Sequence, residues 1–179
     1  IAELDNPADE LAYAVVIEKL YNLCWNSQIR EAYQLARHMI ELCAKAGSIK
    51  VMGWFERYLC TIYFFLGNMK ESVYYYEKSL ELPEDELKYL GMHSTGIYVA
   101  KAYQMLGDRD RSLSVMYEDL KRLRSTGNYE ELWAGYLLSA EIHYQNNFID
   151  KMNGENVSFE TCKKYFTLAG EYAPLYRKT

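Results

Sequence analysis

Apolar residues recur along this chain at helical spacing, and the pattern breaks repeatedly at Gly, Asn, Asp or Ser. Leu11, Val15, Leu20 and Leu23 fall on one helical face, and Ala32, Leu35, Ala36, Met39, Ile40 and Cys43 on another. No β-branched alternating run is present to predict a strand. The predicted helices come in pairs. The first pair starts at the Asx-Pro cap Asp5-Asn6-Pro7, turns at Asn26-Ser27 and continues over about 29–45 to a stop at Gly47. The second covers about 51–66 and 69–82, with a turn at Gly67 and a closing Pro83. The third begins at Glu84-Asp85-Glu86, acidic residues that suit a helix N-terminus, runs to Leu106, turns at Gly107-Asp108 and continues to about Ser125. The fourth is expected over about 129–146 and 159–172, with a short end from Pro174 that frays.

The pairs are copies of one another. A step of 40 links Leu20, Cys60, Ala100 and Ala140, and likewise Leu23, Tyr63, Tyr103 and His143. It links Ser27, Gly67 and Gly107 at the turns, and Ala32, Ser72 and Ser112 in the second helices. The next small residue is Cys162, so about ten extra residues enter the fourth copy, assigned to the polar stretch Ile149–Ser158 as a loop. After it, Cys162, Phe166 and Ala169 match Ser72, Tyr76 and Ser79. Self-similarity at such a period predicts a solenoid, with repeats at about 7–47, 48–83, 84–127 and 128–174. Small residues let paired backbones approach, and large ones fill the grooves between pairs. In Tyr74-Tyr75-Tyr76 only Tyr76 is expected in the core.

Composition narrows the function. Half of the 179 residues are hydrophobic, which excludes disorder. The net charge is −5, and the one basic run, Lys121, Arg122 and Arg124, is flanked by acids, so this segment is not expected to hold nucleic acid. No apolar stretch is long enough to span a membrane, and no signal segment precedes the first helix. Ile1 reads as the cut edge of a longer, cytoplasmic protein. Cys24, Cys43, Cys60 and Cys162 show no metal spacing and are expected as buried free thiols. Asn156-Val157-Ser158 is a chance match to a glycosylation acceptor. His38, His93 and His143 fall in different repeats, and no HExxH or GxSxG occurs, so no catalytic residue, metal or cofactor is predicted. His143, in a slot otherwise held by Tyr, is expected to pack and hydrogen-bond.

The pattern of small, aromatic, Gly, small, large and Pro positions resembles the tetratricopeptide repeat (TPR). It is carried by Cys60, Tyr63, Gly67, Ser72, Tyr76 and Pro83 and by their equivalents. The resemblance implies an all-α fold, a right-handed α-α superhelix of about four helical hairpins. A step of 40 exceeds the usual length of about 34 residues. The longer repeats, as in GIYVAKAYQMLGDRDRSLSVMYEDL, are similar to the helical sensor region of LuxR-type, MalT-like ATP-dependent bacterial regulators. No GxxxxGK[ST] loop or basic recognition helix accompanies them here. The resemblance implies that first helices line a concave groove for a protein, peptide or small inducer. Its positions would be Tyr21 and Trp25, then Trp54, Arg57, Thr61, Phe64 and Phe65, then Lys101, Gln104 and Met105, then Glu141 and Tyr144. Trp25, Phe64, Phe65 and Met105 are equally suited to packing between repeats. Two functions follow: a sensor module coupling inducer or partner binding to a regulator's neighbouring domains, or a protein-interaction adaptor with no small ligand.

Overall fold

The computed structural model describes residues 10–81, 95–127 and 129–176, and every element among them is an α-helix. The helices are α1 (Glu10–Trp25), α2 (Ile29–Ala46), α3 (Ile49–Phe65), α4 (Met69–Ser79), α5 (Gly96–Met105), α6 (Arg109–Thr126), α7 (Tyr129–Met152) and α8 (Glu160–Tyr176). The chain divides into two compact units, Ile1–Leu90 and Gly91–Thr179. The predicted cap at Asp5-Asn6-Pro7, the Leu11 side chain, Pro83, the start at Glu84-Asp85-Glu86 and His93 lie outside the described residues.

In the first unit α1 packs on α2 and α3, α2 on α3, and α3 on α4. In the second, α5 packs on α6 and α7, α6 on α7, and α7 on α8. Each unit thus holds two consecutive pairs, and the first helix of one pair touches the first helix of the next. The small positions sit where the backbones meet. Leu20, Cys60, Ala100 and Ala140 are all fully buried, as are Ala32, Ser72 and Ser112, with Cys162 close behind. Within α3–α4 the approach is close enough for the Ser72 hydroxyl to donate to the Cys60 carbonyl at 2.7 Å.

The turns repeat as well. Ser27, Gly67 and Gly107 all adopt left-handed backbone, at φ 61°, 80° and 84°. At each, two amides fold back on the preceding helix: residue 27, 67 or 107 bonds three back, and the next residue bonds five back. That is the Schellman arrangement, and it satisfies carbonyls the helix end would otherwise leave open. Gly47 and Gly154 close α2 and α7 in the same way.

Four expectations are corrected. Val15 is not in the core: it is 64% exposed, whereas Leu20 is buried as expected and Tyr13, Val16 and Cys24 are buried with it. Phe166 does not take the place of Tyr76: it is 49% exposed, and Tyr165 is buried beside it. Residues 149–152 are not loop, because α7 runs to Met152. The polar side chains Asn146 and Asp150 are spaced to face inward, and buried Asp150 accepts from Arg109 Nη1 of α6 at 2.7 Å, so polarity there marks a contact and not a break. Finally, α8 continues past Pro174 to Tyr176, since a proline in the last turn removes only one ladder bond.

Candidate ligand and partner groove

The twelve predicted groove residues divide into three groups. Trp54 (2% exposed), Arg57 (8%) and Thr61 lie inside the first unit and line no surface. Arg57 turns away from a groove because its guanidinium finds partners on α4. Nη1 donates to Ser79 Oγ at 3.0 Å, and the group lies 5.0 Å above the Tyr76 ring. The Ser79 hydroxyl itself donates to the Tyr76 carbonyl at 2.6 Å.

Tyr21, Trp25 and Phe64 form aromatic surface. Tyr21 is half-buried and stacks on the more exposed Trp25, with centroids 5.9 Å apart. Phe64 meets exposed Phe65 edge to face at 5.5 Å. In the second unit, Met105 is exposed.

Lys101, Gln104 and Glu141 are brought together, on α5 and α7, whereas Tyr144 meets Phe148 and Phe159 instead. Lys101 is largely buried, and its Nζ donates to Glu141 Oε1 at 2.7 Å and to Gln145 Oε1 at 2.8 Å. Gln145 Nε2 donates in turn to Glu141 Oε1 at 3.0 Å, which closes a three-membered clasp. Gln104 Nε2 donates to the Ile142 carbonyl at 3.2 Å. Burying the ammonium is tolerated because a carboxylate and an amide oxygen replace water around it. The Glu141 side chain remains 46% exposed, so the clasp presents acceptor oxygens to the outside.

Beyond the clasp, Tyr144 and Phe159 enter an open cleft of about 570 Å³ between α7 and α8, whose wall also includes Cys162, Lys163, Phe166 and Thr167. Its rim is mostly apolar, and Lys163 adds a single cationic group.

His143 packs as expected. Its ring stacks on Tyr165 at 5.4 Å and its Nε2 is 3.1 Å from the Tyr117 hydroxyl. Burial, then the nearby Arg109 charge, hold its pKa below the ordinary value, so it is neutral near pH 7. The ring belongs to a run from Tyr117 through His143, Tyr165, Tyr136 and Tyr172 to Tyr129. Arg124 donates to the Tyr136 hydroxyl at 2.9 Å in the same run.

All four cysteines are buried and none is joined in a disulfide. Burial raises the thiols of Cys43 and Cys162; burial first, then neighbouring Cys60, pushes Cys24 up to about 12. Such thiols supply little thiolate for nucleophilic chemistry. Among the described residues, no group of three or more His, Cys, Asp or Glu is placed to hold a metal ion, and no helix is long and apolar enough to cross a membrane.

Gln145 was missed in the sequence. It lies four residues after Glu141, on the same helical face, so the spacing carried the signal. Tyr117, Tyr136 and Tyr165 were missed because tyrosine is so abundant here that no single one stands out. Comparison of the chain with protein-family models, with curated proteins and with solved structures finds no match.

Proposed function

We propose that this chain is a tetratricopeptide-like binding module, its helical pairs stacking as a superhelix. We propose further that it serves a cytoplasmic LuxR-type, MalT-like regulator as the sensor that couples inducer or partner binding to neighbouring domains. The observation that carries the binding role is the clasp. Lys101 and Glu141 are the same repeat position in consecutive first helices, and they meet side chain to side chain. Within the second unit, equivalent positions of its two first helices therefore lie side by side. The contact leaves the Glu141 carboxylate half exposed on the helix that also carries the exposed Tyr144 ring, a combination suited to a hydroxyl-rich ligand or to a peptide. A ligand that competes for Glu141 would loosen the α5–α7 contact, and that change in stacking is the means of coupling. The regulator role rests on the sequence resemblance alone.

The test is a titration of isotope-labelled protein with short oligosaccharides and amphipathic peptides, followed by amide and side-chain NMR. Shifts centred on Lys101, Gln104, Glu141 and Tyr144, abolished by Glu141→Gln, are expected. A bound probe that leaves these residues unmoved contradicts the groove. For the regulator role, the parent gene is expected to encode an ATP-binding domain before Ile1 and a helix-turn-helix after Thr179.

A further inference from the structure

The residues of the cleft on α7 and α8 have counterparts in the earlier pairs, and those counterparts touch the first helix that follows. The step is 40 from α5 to α7 and 50 from α6 to α8, because of the insertion. Tyr144 corresponds to Gln104, which bonds the Ile142 carbonyl of α7. Phe159 corresponds to Arg109, which pairs with Asp150 of α7. Thr167 corresponds to Tyr117, whose hydroxyl reaches His143 of α7. Phe166 corresponds to Met116, fully buried in the core that α7 helps to build. In the first unit the counterpart of Lys163 is Tyr33, whose hydroxyl lies 3.5 Å from that of Tyr63 on α3. The cleft is thus, position by position, the seat of a following first helix. Nothing among the described residues fills it.

The helix that fits this seat is α1. Where α6 meets α7, Leu120 and Leu123 close on Gly135, and a Cβ there would lie 3.1 and 3.3 Å from them. The counterpart of Gly135 in α1 is Val15, which is exposed although Phe55, Thr95 and Gly135 at the same repeat position are all buried. The counterparts of Leu120 and Leu123 in α8 are Gly170 and Ala173. A Cβ built on Gly170 meets nothing within 4 Å. The sizes are exchanged: large on glycine between α6 and α7, and glycine offered to an exposed valine at the two open faces. The Tyr21–Trp25 stack, half-buried at Tyr21 and exposed at Trp25, likewise matches the positions of Glu141 and Gln145, which receive Lys101.

We infer that the α7–α8 cleft seats α1 of a second copy of this chain, with Val15 over Gly170 and the Tyr21–Trp25 stack against Glu141 and Tyr144. The inference rests on the repeat register and not on the sensor role. The contact joins two different faces, so it is head to tail, and successive copies either close into a ring or continue as a filament. Association grows with concentration.

Sedimentation velocity from about 1 µM to about 1 mM, a span of weak to moderate affinities, tests this directly. The wild-type chain is expected to shift toward progressively larger species. Val15→Glu spoils only the α1 face, and Gly170→Leu fills only the seat, in open space and at a helical position that favours Leu over Gly. Each variant alone is expected to stay monomeric with unchanged helicity. Mixed, they retain one intact seat and one intact α1, so they form a dimer and nothing larger. A monomeric wild type, variants that associate as the wild type does, or a mixture that stays monomeric overturns the inference. Ala100→Leu tests the register separately: if it lowers the melting midpoint while the wild type is monomeric, the docking fails and the register stands.

Discussion

At the scale of single residues, contacts between helices decide more than side-chain type. Asp119 is buried, accepts the Ile97 amide at 3.0 Å and pairs with Arg122 at 2.6 Å, so it caps α5 from the neighbouring helix. Gly96 makes room for it, since a Cβ there would lie 2.7 Å from the Asp119 side chain. Gly96→Ala is expected to destabilise the second unit by about 1–3 kcal/mol, measured as a lowered denaturation midpoint. An unchanged midpoint would show that Asp119 yields freely. His143 makes a different prediction. Its folded-state pKa lies below its ordinary value of 6.5, so the unfolded chain takes up a proton that the folded chain resists. Stability therefore falls as pH drops below about 6.5 and is unaffected by this group above it. His143→Phe keeps the ring stack and removes the titration, so urea midpoints for that variant should decline less between about pH 7 and about pH 5 than those of the wild type. Equal declines would assign the acid sensitivity elsewhere. Neither Asp119 nor Tyr165 was legible as a contact in the sequence, because both act across helices and a helical wheel shows only one helix at a time.

At the scale of elements, the turns hold the plan. Ser27 takes the conformation that glycine takes at positions 67 and 107. A left-handed residue with a Cβ is strained by roughly 1–2 kcal/mol, and glycine relieves that at an entropic penalty of roughly 0.5–1 kcal/mol. Ser27→Gly should accordingly stabilise by a few tenths to about 1 kcal/mol, while Gly67→Ala should destabilise by about 1 kcal/mol although its Cβ meets no atom. Calorimetric melting of both variants checks the pair, and the same sign for both would deny that the turns are equivalent. Helix boundaries were readable where glycine ends a helix, as at Gly47, Gly67, Gly107 and Gly127. They were misread at 149–152, where Asp150 and Lys151 look loop-like until Arg109 is placed opposite Asp150. The core of α1 was read correctly at Leu20 and Leu23 and misread at Val15, which has the periodicity of a core residue and no described neighbour to cover it.

At the scale of the molecule, the all-helical class and the pairing of helices could be read from the step of 40, since the small residues it links are buried in every copy. Of the residues proposed for a groove, Lys101, Gln104 and Glu141 meet across α5 and α7, whereas Trp54, Arg57 and Thr61 sink into the first unit. A repeat step fixes which positions are equivalent. It does not fix which of two packed neighbours a long side chain such as Arg57 will reach, and Ser79 with Tyr76 settles that. The central claim is that equivalent positions of successive first helices touch. Nuclear Overhauser spectroscopy on isotope-labelled protein tests it most directly. Cross-peaks are predicted from the Lys101 side chain to those of Glu141 and Gln145, residues 40 and 44 positions away. Their absence in a folded sample with assigned Lys101 resonances would contradict the repeat register on which the binding role and the docking seat both depend.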